Sequence, residues 1–218
     1  MKLKMAKEEE KPNQSTPLII AMKGHPGTGK TTLAHSLAST LKFPLIDKDD
    51  VRDCTLSLQQ TLLHTSPATA SSLLNQLSYD VVWQIASTQI SLGLGVIIDS
   101  PLSRRAHLDR LLQLASSAKA RLVIVECKPS DEAEWRRRLE KRGASDEPSS
   151  SWHKPCTWEE LERLVEGYRG CTDYEVGDVP KLVVDTTAAI RVEEVVSDVI
   201  DFIYSCGDGT GALSCSGF

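Results

Sequence analysis

The chain has 218 residues, 40% of them hydrophobic and 25% charged, which suits one α/β domain with a sizeable core and leaves too little for a second independent one. A formal charge of −5 disfavours bulk binding of nucleic acid, although a local basic cleft can still hold a compact anion. The six cysteines form no C-x-x-C pair and have no histidine at zinc-finger spacing, so they read as reduced packing thiols.

Residues 1–17 mix lysines with three consecutive glutamates and contain no apolar run, so they read as a flexible tail without a targeting signal, and a cytoplasmic location is expected. No apolar stretch approaches the roughly 18 residues that span a bilayer, so no membrane role is expected. From Leu18 onward, short apolar runs predict buried strands at Leu18 to Met22, Pro44 to Ile46, Gly95 to Ile98, Arg121 to Cys127 and Lys181 to Asp185. Amphipathic stretches between and after them predict helices at Lys30 to Leu41, Ala68 to Leu92, Arg104 to Ala118, Asp131 to Arg142, Trp158 to Arg169 and Arg191 to Tyr204. This alternation predicts a doubly wound five-stranded parallel sheet in one domain over 18–205, with 206–218 as a Gly- and Ser-rich tail. Ligands of such sheets bind at the carboxyl ends of the strands, and each polar motif below follows a strand.

After the first strand comes Gly24-His25-Pro26-Gly27-Thr28-Gly29-Lys30-Thr31, followed by Thr32. The spacing G-x-x-x-x-G-K-T after a strand and before a helix lets backbone N–H groups curl around phosphate oxygens at the helix's positive end. It predicts ATP binding, with Lys30 on the β/γ-phosphates, Thr31 on Mg²⁺ and Thr32 supporting the loop. A loop of this kind says nothing about where the γ-phosphate goes.

After the second strand, Asp49 and Arg52 stand three residues apart, on one face of any helix that begins there. Asp49 is placed to accept a proton from an attacking hydroxyl and Arg52 to clamp an anionic acceptor, with Asp50 as the alternative base. The competing reading is that Asp47 to Asp50 cap that helix. The third strand ends at Asp99, a position for a carboxylate that holds Mg²⁺-bound water or orients the acceptor; Arg104 and Arg105 follow, either touching the acceptor or facing solvent, and Arg105 is taken as the contact.

In these motifs the chain resembles the small P-loop kinases of the AAA_33, zeta-toxin and polynucleotide-kinase-like group, which includes gluconate kinase and chloramphenicol phosphotransferase. The resemblance spans roughly Leu18 to Arg142, more weakly to Thr186. It implies that Asp49 is the base and that Arg52 contacts substrate. Relatives often carry Asp-Ala-Thr where this chain has Asp99-Ser100-Pro101. The run Trp135 to Gly143, with its R-L-x-x-R spacing, resembles the lid of these kinases, which implies that Arg138 and Arg142 close over the transferring phosphate and that the lid occupies about 136–157. Within it Trp152, His153 and Lys154 either meet the acceptor or belong to a solvated loop. Asp185 with Thr186 and Thr187 resembles the adenine-side loop, unless Asp185 caps the last helix.

These readings converge on an ATP- and Mg²⁺-dependent transfer of the γ-phosphate to a hydroxyl of a small-molecule acceptor. A polynucleotide 5′-hydroxyl kinase is opposed by the acidic charge and the absence of an aromatic-rich basic platform. A non-enzymatic nucleotide switch and a ring-forming ATPase also fit the loop alone. The acceptor's identity and the oligomeric state are not encoded in any motif found.

Overall fold

The computed structural model describes residues 16–65, 67–143 and 153–206. Five strands, β1 (Leu18–Lys23), β2 (Leu45–Asp47), β3 (Val96–Asp99), β4 (Arg121–Lys128) and β5 (Lys181–Asp185), form one parallel sheet in the order β2-β3-β1-β4-β5. The described helices are α1 (Lys30–Leu41), α2 (Lys48–Asp53), α3 (Leu56–Thr65), α4 (Pro67–Ser91), α5 (Arg105–Ala118), α6 (Glu132–Gly143), α7 (Trp158–Tyr168) and α8 (Val192–Ser205).

The sheet is covered on both faces, and alternation along β1 shows how. Ile19 and Ala21 join a core with Tyr79, Val82 and Trp83 of α4 and Leu108 and Leu111 of α5. Leu18, Ile20 and Met22 point the other way, into a core with Leu33 and Leu37 of α1 and Val199 and Ile203 of α8. All six residues of β1 are buried, which explains why that strand reads as a continuous apolar run rather than an alternating one. Successive crossovers place β2 and β3 on one side of β1 and β4 and β5 on the other, so the loop leaving β1 sits where the strand order reverses.

The predicted elements are present with shifted ends, and two shifts bear on function. β2 runs one residue further than expected, making Asp47 its last residue and pairing it in register with Asp99 of β3. α5 starts one residue later, with Arg104 as its N-cap. α3 was not foreseen; Thr55 links it to α2, its hydroxyl donating to the Arg52 carbonyl at 2.7 Å. Residues 1–15 and 207–218 of the expected tails, and 144–152 of the expected lid with Trp152, lie outside the described residues. Among the described residues no helix is long and apolar enough to cross a membrane.

Candidate active site

The loop between β1 and α1 needs backbone shapes that only glycine adopts without strain. Gly24, Gly27 and Gly29 all have positive φ, and a Cβ on Gly24 would sit 2.5 Å from the Cys127 carbonyl oxygen. The loop is fastened from within: the Thr28 hydroxyl donates to the His25 carbonyl at 2.8 Å, and Lys30 Nζ donates to the same oxygen at 2.9 Å. Lys30 is buried, which pushes its ammonium pKa down, while Asp99 acts in the opposite sense.

The loop is also braced from outside, by Trp135 at the head of the basic run and by aromatic residues of α7. Trp135 Nε1 of α6 donates to the Pro26 carbonyl at 2.9 Å, and the same indole packs where a Cβ on Gly27 would go. The His25 ring lies near-parallel to Trp135 and Tyr168, with centroids 6.2 and 6.1 Å away. Trp135 meets Trp158 edge-on at 5.2 Å. The loop is thereby tied directly to α6 and α7.

At the start of α1 the Thr31 hydroxyl donates to Asp99 Oδ2 at 2.6 Å. Asp47 stands opposite Asp99 at the end of β2; burial, then the charge of Asp99, pushes its carboxyl up to about 7. Its side chain also accepts the Asp49 N–H at 2.7 Å, so it caps α2 as the competing reading proposed. One hydroxyl and two carboxylates clustered beside a phosphate-type loop are the hard oxygen donors that suit Mg²⁺, which keeps waters and phosphate oxygens as its other ligands.

Asp49 lies at the centre of a charged cluster. Lys48 Nζ is 2.8 Å and His153 Nε2 3.1 Å from its Oδ1, and Lys154 Nζ is 2.9 Å from its Oδ2. Burial works against ionisation, yet the hydrogen bond with His153 and the charges of Lys48 and Lys154 hold its carboxyl well below the usual range. His153 also places Nδ1 3.2 Å from Asp53, so residues 153–154 pin themselves to α2. Asp50 is exposed and does not line the cleft, which removes the geometric support for it as the alternative base.

The arginines differ from expectation in two places. Arg52 is only 2% exposed; it turns toward α3 and α4, donating to Thr55 Oγ1 at 2.6 Å and to Gln59 and Ser71, so it braces the acceptor wall instead of reaching freely across the cleft. Arg105 is directed outward to Asp109 and the Glu175 carbonyl, and Arg104 lines the cleft in its place. Arg138 and Arg142 both line the cleft; Arg138 is paired with Glu134 at 2.7 Å, and Arg142 donates to the Pro155 carbonyl. Asp185 does not cap α8, whose N-cap is Arg191; it accepts from Ser130 and Thr187, joining the loop after β5 to the loop before α6.

Lys30, Thr31, Asp47, Asp49, Asp99, Arg104, Arg138, Arg142, His153 and Lys154 face one cleft of about 520 Å³ at the carboxyl edge of the sheet, running from Gly27 and Lys30 past Asp99 and Asp49 to Ser71, Asn75 and Tyr79 of α4, whereas Gly24, His25 and Thr28 line a smaller pocket beside Trp135. Such a cleft can hold a triphosphate at the loop end and a second small molecule at the α4 end.

The model of the AAA_33 family, an AAA domain, matches residues 19–164. No curated protein matches the chain. Among solved structures, the chain is similar to a candidate kinase from Chloroflexus aurantiacus at 27% identity, over 87% of this chain and 97% of that one, with a TM-score of 0.65. The fold is shared with a gluconokinase from Sinorhizobium meliloti (17% identity, 88% and 94% covered, TM-score 0.55). It is shared too with a shikimate kinase from Aquifex aeolicus (16% identity, 88% and 99% covered, TM-score 0.55).

Proposed function

From the membership of this chain in the AAA_33 family, and its P-loop kinase fold, we propose that it is an ATP-dependent phosphotransferase that moves the γ-phosphate to a hydroxyl of a small-molecule acceptor. The observation that carries this reading is the sharing of one cleft by the phosphate loop, the Thr31–Asp99 pair, Asp49 and the two lid arginines.

In this reading the backbone N–H groups from Gly27 to Lys30 hold the phosphates, and Lys30 neutralises charge on the transferring group. Thr31, Asp99 and Asp47 are the residues that would hold Mg²⁺, which supplies further neutralisation of phosphate charge. Asp49 orients the acceptor hydroxyl and takes its proton. So low a pKa makes it a weak base, which suffices because in a loose phosphoryl-transfer transition state the nucleophile's proton leaves late and positioning matters more than basicity. Arg138 and Arg142 stabilise charge on the equatorial oxygens, and their helix excludes water that would otherwise hydrolyse ATP. For the acceptor hydroxyl to reach Asp49, His153 and Lys154 must yield one of the oxygens they now hold, so acceptor binding and movement of residues 153–154 are coupled.

The test is ADP release by the purified chain with ATP and Mg²⁺, with and without a deproteinised metabolite extract. The reading expects ADP formation to rise with the extract and a new phosphate monoester to appear in it. Rapid ADP formation that is indifferent to the extract would instead mark an ATPase.

A further inference from the structure

Resting on the phosphotransferase reading, we propose that the acceptor is a small hydroxylated anion whose carboxylate or phosphate group is held by Arg104 while its hydroxyl faces Asp49. Seven lysines and arginines line the cleft against three aspartates, in a chain whose net charge is −5. The excess is therefore concentrated at this site and is not a property of the whole surface.

Part of that excess belongs to the nucleotide end, where Lys30 reaches back to the loop and Arg138 lies beside Gly29; Arg142 is held by the Pro155 carbonyl. At the other end the cations differ in their availability. Lys48 and Lys154 are both engaged by Asp49. Arg104, exposed at the N-cap of α5, has no ion-pair partner among the described residues, whereas its neighbour Arg105 turns away to Asp109. A guanidinium offers a planar fork of donors that matches a carboxylate or phosphate, so Arg104 is equipped for that group and in place for it.

Its surroundings suit the rest of such a molecule. The wall formed by α4 presents Ser71, Ser72, Asn75 and Gln76, neutral groups that hydrogen-bond hydroxyls. His107, one turn into α5, has a buried Nδ1 with no hydrogen-bond partner. Burial, then the charges of Arg104 and Lys48, push its imidazole down to about 4, so it is neutral at physiological pH and adds no charge to the wall. Charge at one point and neutral donors and acceptors elsewhere describe a polyhydroxylated acid or a polyol phosphate.

The test uses the full chain loaded with a non-hydrolysable ATP analogue and Mg²⁺, titrated by calorimetry with matched probes: gluconate against sorbitol, glycerol 3-phosphate against glycerol, and a short single-stranded oligonucleotide with a free 5′-hydroxyl. We expect at least one anion to bind about tenfold or more tightly than its neutral partner, the scale of one charge-assisted hydrogen-bonded group. Arg104→Gln should erase that preference and Arg104→Lys restore part of it, with the affinity for the analogue confirming in each variant that the site is folded. Equal binding within both pairs, including no binding by either anion, overturns the proposal, as does a preference that survives Arg104→Gln. An oligonucleotide that binds better than both anions overturns the small-acceptor part. Anion preference without phosphoryl transfer from ATP to any preferred probe would count against the phosphotransferase reading and leave standing only the anion subsite at Arg104.

Discussion

Asp47 and Asp99 are partners across the β2–β3 ladder, so two carboxylates end adjacent strands side by side, buried beneath the entrance to α1. Burial disfavours the charged form of Asp47 and the facing charge of Asp99 adds to it, so its carboxyl rises from 3.8 to about 7. The native chain thus holds a proton between these values that the unfolded chain has lost. Stability from this group is fully present below about pH 4 and is lost as pH rises through about 7. Asp47→Asn, which keeps the oxygen that caps α2, should raise Tm at pH 8 in the presence of a chelator and leave Tm at pH 4 nearly unchanged. Thermal melts at the two pH values check this, and an equal effect at both would contradict it.

Thr31→Ala removes the hydroxyl that meets Asp99 at 2.6 Å without disturbing the backbone of the loop. The expected effect is a rise of about 10- to 100-fold in the Mg²⁺ concentration needed for half-maximal turnover, the usual scale for losing a metal-site partner. A Mg²⁺ titration at saturating ATP measures it. An unchanged Mg²⁺ requirement would detach Thr31 from the metal.

Asp49→Asn keeps the size of the side chain and removes its charge and basicity. Transfer to acceptor should fall by about 10²- to 10⁴-fold while ATP affinity stays within a few-fold of the parent. The same substitution weakens the contacts with Lys154 and His153, so residues 153–154 should become more open to limited proteolysis. Retained transfer would reassign the base.

Trp135→Phe keeps an aromatic ring beside Gly27 and deletes the donor to the Pro26 carbonyl. The phosphate loop should then be less well ordered, and ATP affinity should drop by roughly five- to tenfold, in line with about 1 kcal/mol for one neutral hydrogen bond. Nucleotide titration of both proteins measures the loss. Because the indole touches the loop, part of the tryptophan fluorescence change on ATP binding should vanish with it.

The fold was legible because buried parallel strands are continuous apolar runs, and LIIAM or RLVIVEC permits little else. The phosphate loop was legible because its glycines and Lys30 have fixed backbone and chemical roles. Spacing alone did not say which way a helix face points: Asp49 and Arg52 lie three apart as expected, yet Arg52 is drawn inward by Thr55 and Gln59, at and within the unforeseen α3, and by Ser71 of α4. A one-residue shift in the start of α5 exchanged the positions of Arg104 and Arg105 relative to the cleft. Asp47 was read only as a cap because its pairing with Asp99 depends on β2 register, which no local pattern encodes. Trp135 was visible only as a member of a basic run, since its contact with Pro26 joins residues 109 apart in sequence.

The most direct test of the account is to incubate the chain with γ-labelled ATP, Mg²⁺ and a fractionated small-molecule extract, with Lys30→Ala as control, and to follow the label. Label is expected in a hydroxyl-bearing small molecule as a phosphate monoester, with transfer by the control reduced by at least about 10²-fold. Label found only in inorganic phosphate, or only in nucleic acid added to the same reaction, would contradict it.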